Sequence, residues 1–163
     1  MPIEIRPLAP VDTRSLRAAI LRPNQRVEGP LHDDDHPAMM ALGAFVTAPG
    51  DEPDALVGCC LLLPEPAPPQ LGAPVGAGWR LRGMAVLPER RGGTGTLLLS
   101  AAISEVAARA GGVLWCHARV AARRLYERAG LVAAGDAFSE VGLPHVLMWR
   151  LVPAALREEA GAP

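Results

Sequence analysis

The residues most able to do chemistry fall into one contiguous run and several scattered singles. The run is Arg90-Arg91-Gly92-Gly93-Thr94-Gly95-Thr96. Pro88 ends an apolar stretch just before it. Leu97, Leu98, Ala101, Ala102, Val106 and Ala107 repeat at helical spacing just after it. The run therefore joins a strand to a helix start. The first amides of a helix lack an intrahelical acceptor and stand at the positive end of its dipole. Gly92, Gly93 and Gly95 let a bulky anion approach the backbone. Thr94 and Thr96 add hydroxyl donors, and Arg90 and Arg91 add charge. Such a loop can cradle a pyrophosphate. It is not a Walker loop, because the chain has no Lys, and it lacks the spacing of a dinucleotide fingerprint. The plainer reading is an ordinary strand-to-helix turn.

Among the singles, Tyr126 is the one tyrosine of the chain. It is either a proton donor or a buried aromatic. His32-Asp33-Asp34-Asp35-His36 invites a metal reading, but Pro30 and Pro37 argue for a loop without zinc geometry, so no metal is expected. Asp33, Asp34 and Asp35 could instead draw a cationic amine toward a cleft. Cys116 lies on an apolar strand with no base fixed beside it and reads as a buried free thiol, as do Cys59 and Cys60. Trp79 reads as strand packing or a cleft wall.

The elements that must position these groups follow from periodicity and punctuation. Ile3 and Ile5 open a strand. A helix starts near Thr13 with Asp12 as its cap. Met40–Val46 and the run 55–62 form a hairpin about Pro49-Gly50-Asp51. A Pro- and Gly-rich loop over 64–78 precedes a strand over 79–87. The helix over 93–110 ends at Gly111-Gly112. Val113–Cys116 is a buried strand, 121–129 a helix, and 131–134 and 146–152 the closing strands. Strand-helix-strand units after a hairpin predict an α/β fold: a mixed sheet with helices on both faces. Residues 1–152 read as one domain and 153–163 as a frayed tail.

Length and composition agree. The chain has 163 residues, half of them apolar, enough for one well-buried core. The net charge of −1 advertises neither nucleic acid nor an acidic membrane. Three cysteines do not make a disulfide framework, and no signal peptide or membrane span is legible, so a reducing cytoplasm is the expected setting.

The stretch from Arg82 to Leu98 closely resembles motif A of the GNAT (GCN5-related) N-acetyltransferase superfamily, with Arg90, Gly93 and Gly95 at its signature places. The stretch from Ala121 to Leu131 resembles motif B through Tyr126-Glu127 and Gly130. Gly142-Leu143-Pro144-His145-Val146-Leu147-Met148 is similar to the closing strand of a small bacterial branch. The resemblance implies a mostly antiparallel twisted sheet of six to seven strands, splayed like a V between strands four and five. It implies acetyl-CoA as co-substrate. Met84, Ala85 and Val86 would hold its pantetheine arm, and the amides from Arg91 to Thr96 its pyrophosphate. Tyr126 would lie near the sulfur.

Acyl transfer from a thioester to an amine needs a proton acceptor for the amine and a proton for the departing thiolate. Tyr126 is the candidate acid. Glu140, His145 and His117 are candidate bases, without a choice among them. The acceptor would be a primary amine of a small molecule or peptide, and the protein a monomer or homodimer. The alternative is a GNAT domain that binds an acyl-CoA without turnover.

Overall fold

The apolar run Ala55–Pro64 is a strand buried on both faces, and it shows why the sheet is covered on both sides. Cys60 and Leu62 point one way, into a core shared with Leu98, Leu99, Ala102 and Val106. Leu61 and Leu63 point the other way, onto Met39 and Ala41. Side chains of a strand alternate between faces, so a continuous apolar run needs cover on each.

The computed structural model describes residues 2–23, 36–72 and 76–156. Its strands are β1 (Ile3–Leu8), β2 (Met40–Val46), β3 (Ala55–Pro64), β4 (Gly78–Val86), β5 (Gly112–Arg119), β6 (Val132–Glu140) and β7 (Leu143–Val152). Its helices are α1 (Arg14–Leu21), α2 (Thr94–Ala108) and α3 (Arg123–Arg128). Among the described residues the strands form one seven-stranded sheet, ordered β1-β2-β3-β4-β5-β7-β6. β4 and β5 run parallel, and every other neighbouring pair is antiparallel. α2 supplies the crossover between β4 and β5, as a parallel pair requires. α2 packs on the Cys60 face, while Arg17 of α1 lies beside Leu61 on the opposite face.

Three details depart from the sequence reading. Asp12 does not cap α1: a 3-10 turn spans Pro10–Thr13, and the helix begins at Arg14 without a side-chain cap. Thr13 instead donates its hydroxyl to the Pro10 carbonyl and accepts from Arg17 Nε. β6 does not stop near Ala134 but runs to Glu140. The tail begins docked, since the Ala155 amide donates to the Ala107 carbonyl. No helix among the described residues is long and apolar enough to cross a membrane.

Candidate active site

A cleft of about 680 Å³ opens where β4 and β5 part, and it reaches both faces of the sheet. The two strands pair only over Gly78–Arg80 and Val113–Trp115. Beyond this point β4 carries a bulge. Ala85 pairs with Cys59 and Arg82 with Leu61, so β4 holds one more residue than β3 between these contacts. Gly83 sits in the bulge with φ +57°, and its carbonyl lies 3.7 Å from Cys59 Sγ. Extra local twist at a bulge turns β4 away from β5. Met84 and Val86 then line the gap, whereas Ala85 is turned into the core.

One end of the cleft is the start of α2. Gly93 stands at the cap position with φ +132°, and Gly92 before it has φ +105°. No atom lies within 4 Å of where a Cβ would stand on either, so the bare backbone faces open space. The Leu97 amide is the first to reach back, to the Gly93 carbonyl at 3.0 Å. The amides before it in this first turn have no intrahelical acceptor, and no side chain caps them. Gly95 packs against Leu125, which also lines the cleft. Arg91 and Thr96 also line this end, while Arg90 and Thr94 do not. Thr94 departs from expectation: it is buried, and its hydroxyl donates to the Arg90 carbonyl at 2.7 Å, locking the turn.

Tyr126 follows on the α2 side of the sheet. It is 6% exposed and borders the cleft. Burial, then the neighbouring Cys116 and Cys60 thiols, push its hydroxyl well above the ordinary phenol range, with Arg119 opposing weakly. The phenol therefore stays protonated at any ordinary pH. Burial also raises the thiols, Cys59 to about 11 and Cys116 to about 12, so neither is an activated nucleophile.

The other end lies on the opposite face, where His117, Glu140 and His145 meet. His117 Nδ1 lies 3.1 Å from Glu140 Oε1. Arg80 Nη2, a donor only, lies 3.4 Å from the same nitrogen, but the Glu140 contact is shorter and an ionised carboxylate only accepts, so the proton is assigned to Nδ1, which leaves Nε2 of a neutral ring bare. His145 Nε2 lies 3.6 Å from Glu140 Oε2, and His145 Nδ1 donates to the Leu143 carbonyl at 2.9 Å. Burial tends to raise the Glu140 carboxyl. The hydrogen bond from His117 and the charges of His117, His145 and Arg80 outweigh it and hold the group below the ordinary carboxylate range. Arg80 in turn pairs with Glu65 at 3.4 Å and lies over the Trp115 ring. Phe138 packs edge-on against His117 and stacks on His145. A second irregularity builds this end. Between the pairs Ala134–Leu147 and Phe138–His145, β6 bulges at Gly135, and this sets Phe138 opposite His145.

A family profile described as an acetyltransferase (GNAT) domain matches residues 72–151, which take in β4, the start of α2, Tyr126, His117, Glu140 and His145. The chain has the GNAT fold. The Bacillus subtilis (strain 168) protein YitI, an uncharacterized N-acetyltransferase, is 28% identical over 151 residues, covering 91% of this chain and 95% of YitI. Escherichia coli ElaA aligns in structure with a TM-score of 0.69 at 17% identity, over 91% of this chain and 99% of ElaA. Arabidopsis thaliana NAA60, solved with acetyl-CoA, aligns with a TM-score of 0.69 at 14% identity, over 93% of this chain and 99% of NAA60. The seven-stranded sheet with its parallel β4–β5 step is the GNAT fold.

Within this GNAT cleft the structure gathers most of the residues singled out from the sequence. Tyr126, His117, Glu140 and His145 all border it. Trp79 does not: it sits where β4 and β5 are still paired, with its indole nitrogen buried and unpartnered. His32 and Asp33, Asp34 and Asp35 lie outside the described residues, and the His36 ring accepts from the Ala38 amide. The sequence reading passed over Arg80, Arg82, Arg119 and Phe138. Arg80 and Arg82 flank buried Leu81 on β4, and that alternation is a signal for a polar cleft face.

Proposed function

We propose that this protein is an acetyl-CoA-dependent N-acetyltransferase that acts on a primary amine of a small molecule or peptide by direct transfer. The observation that carries the reading is the division of labour across the sheet. A buried phenol lies on the α2 side of the slot, and an imidazole held by a carboxylate lies on the other.

The cleft fits the co-substrate. The free amides at the start of α2, beside glycines with no Cβ, suit a diphosphate. The unpaired stretch of β4 past Arg80 offers backbone groups at Met84 and Val86 to an extended amide-bearing arm. When bound, acetyl-CoA supplies an activated acyl carbon. The chain does the rest. Backbone amides of β4 polarise the acyl oxygen. His117 Nε2 takes the proton from the attacking amine, while Glu140 fixes the tautomer by accepting from Nδ1. Tyr126 gives its proton to the departing thiolate. The raised thiols of Cys59 and Cys116 support direct transfer over a route through an acyl-enzyme.

A thiol-release assay with acetyl-CoA and a broad panel of amines tests this. Turnover that His117→Gln and Tyr126→Phe each abolish, with acetyl-CoA affinity retained, supports the reading. Tight acetyl-CoA binding with no turnover on any amine returns the alternative, a non-catalytic acyl-CoA-binding domain.

A further inference from the structure

The acceptor half of the cleft has an uneven charge. Arg80 lines it from β4, Arg119 from the end of β5 and Arg22 from the residue after α1. Among the described residues one carboxylate lines the whole cleft, that of Glu140, and His117 already holds it. Glu65 answers Arg80 from outside the lining. Arg119 differs from Arg80 in what holds it. Its Nη2 donates to the Leu21 carbonyl at 3.0 Å, at the C-terminal end of α1. A carbonyl orients a guanidinium without cancelling its charge, and the remaining N–H donors of that group keep their fork geometry. Arg119 also pairs in register with His145 and follows His117 by two residues on β5, so all three share one face. Neighbours on one face of a strand stand about 7 Å apart. A rigid guanidinium is thus fixed beside the imidazole that would receive the amine.

We infer that the acceptor is an amine carrying a carboxylate or phosphate a few bonds from its nitrogen, and that Arg119 binds this anionic group. The inference rests on the acetyltransferase reading above for the identity of the nucleophile. Guanidinium-to-oxyanion pairing is bidentate and strong where water is partly excluded. A polyamine or a Lys-rich peptide instead meets the repulsion of the arginines that line this wall. A cationic substrate drawn by Asp33, Asp34 and Asp35 is the opposite expectation, and the two diverge cleanly in assay.

The test compares matched acceptors: α-amino acids against their carboxamides, aminoalkyl phosphates against the corresponding amino alcohols, and simple diamines. With acetyl-CoA in excess, kcat/KM for the best anionic member should exceed that of its neutral partner at least tenfold and fall as salt is raised. The carboxylate and phosphate arms distinguish the two anions. Arg119→Gln should shrink the ratio to within about twofold, while Arg119→Lys should keep part of it. An acetyl-CoA thermal shift on each variant checks that it is folded. Calorimetric binding of the same pairs to CoA-loaded protein gives the ranking without turnover. Preferential binding of an anionic amine without turnover, lost in Arg119→Gln, would sink the transferase reading and keep Arg119 as the seat of the anion. Equal or better use of neutral amines or diamines overturns the inference, and so does a preference that survives Arg119→Gln. Failure of every anionic amine both to bind and to react overturns it too.

Discussion

The end of the cleft proposed for the diphosphate, Arg91 to Thr96, is one contiguous piece of chain built on a single helix start, whereas the end proposed for the acceptor draws Arg80 from β4, His117 from β5, Glu140 from β6 and His145 from β7. The first end works through bare backbone. Its chemistry needs only glycines at positive φ and the amides that any helix leaves free. The second works through side chains whose approach depends on strand register and on two bulges. A contiguous site survives any error in register, but a composite one does not.

Substitutions can separate the two ends. The largest effect belongs to the composite end. His117→Gln should lower kcat by about 10²- to 10⁴-fold, the range of a general base, while acetyl-CoA affinity stays within about twofold. Steady-state kinetics beside calorimetry checks the split, and a matching loss of affinity would mean that the two ends are not separable. Gly93→Val should do the reverse. Its φ of +132° is strained for a β-branched residue, and the new methyls would stand in the space left for the diphosphate. Acetyl-CoA affinity should fall tenfold or more, with a stability cost of about 1–3 kcal/mol.

Gly83→Ala acts on the bulge that opens the slot between the ends. A Cβ there would stand 2.7 Å from Arg17 Cδ, at φ +57°. The left-handed backbone alone costs about 1–2 kcal/mol. The melting temperature should drop by about 3–8 °C in calorimetry, with acceptor KM and acetyl-CoA affinity both impaired. The smallest effect concerns Glu140. Its folded pKa lies below the unfolded value of ~4.3, so its pairing stabilises the native state above that pH. That contribution is lost as pH falls through the lower folded value. Glu140→Gln should therefore lower stability in the neutral region, leave it nearly unchanged below the folded value, and so flatten the acid limb of the profile. Denaturant titrations from pH 3 to 7 would reveal an unaltered limb if the pairing were weak.

How much was legible in the sequence divides along the same line. The strand-to-helix turn at Arg90 to Thr96, the hairpin of β2 and β3, and the buried β5 follow from local pattern, and the sheet that contains them follows from their order. The convergence of His117, Glu140 and His145 does not. Gly135-Asp136-Ala137 breaks the period-two pattern, so β6 reads as ending at Ala134, and nothing local says that Phe138 resumes pairing opposite His145. Thr94 fails for the opposite reason. Its hydroxyl lies in the right motif, but the backbone turn brings the Arg90 carbonyl to 2.7 Å, where it accepts the hydroxyl's hydrogen bond. The two glycine-bearing bulges share this opacity, because a glycine inside a strand pattern announces a kink without giving its direction.

The whole account depends on the gap between β4 and β5 being a seat for an acyl-CoA whose diphosphate meets the start of α2. Thermal denaturation across a series of acetyl-CoA concentrations measures this directly. A seated acyl-CoA makes the melting temperature climb steadily with the logarithm of acetyl-CoA concentration, and the response disappears in Gly93→Val. A flat melting temperature up to millimolar acetyl-CoA, or an undiminished rise in that variant, would contradict it.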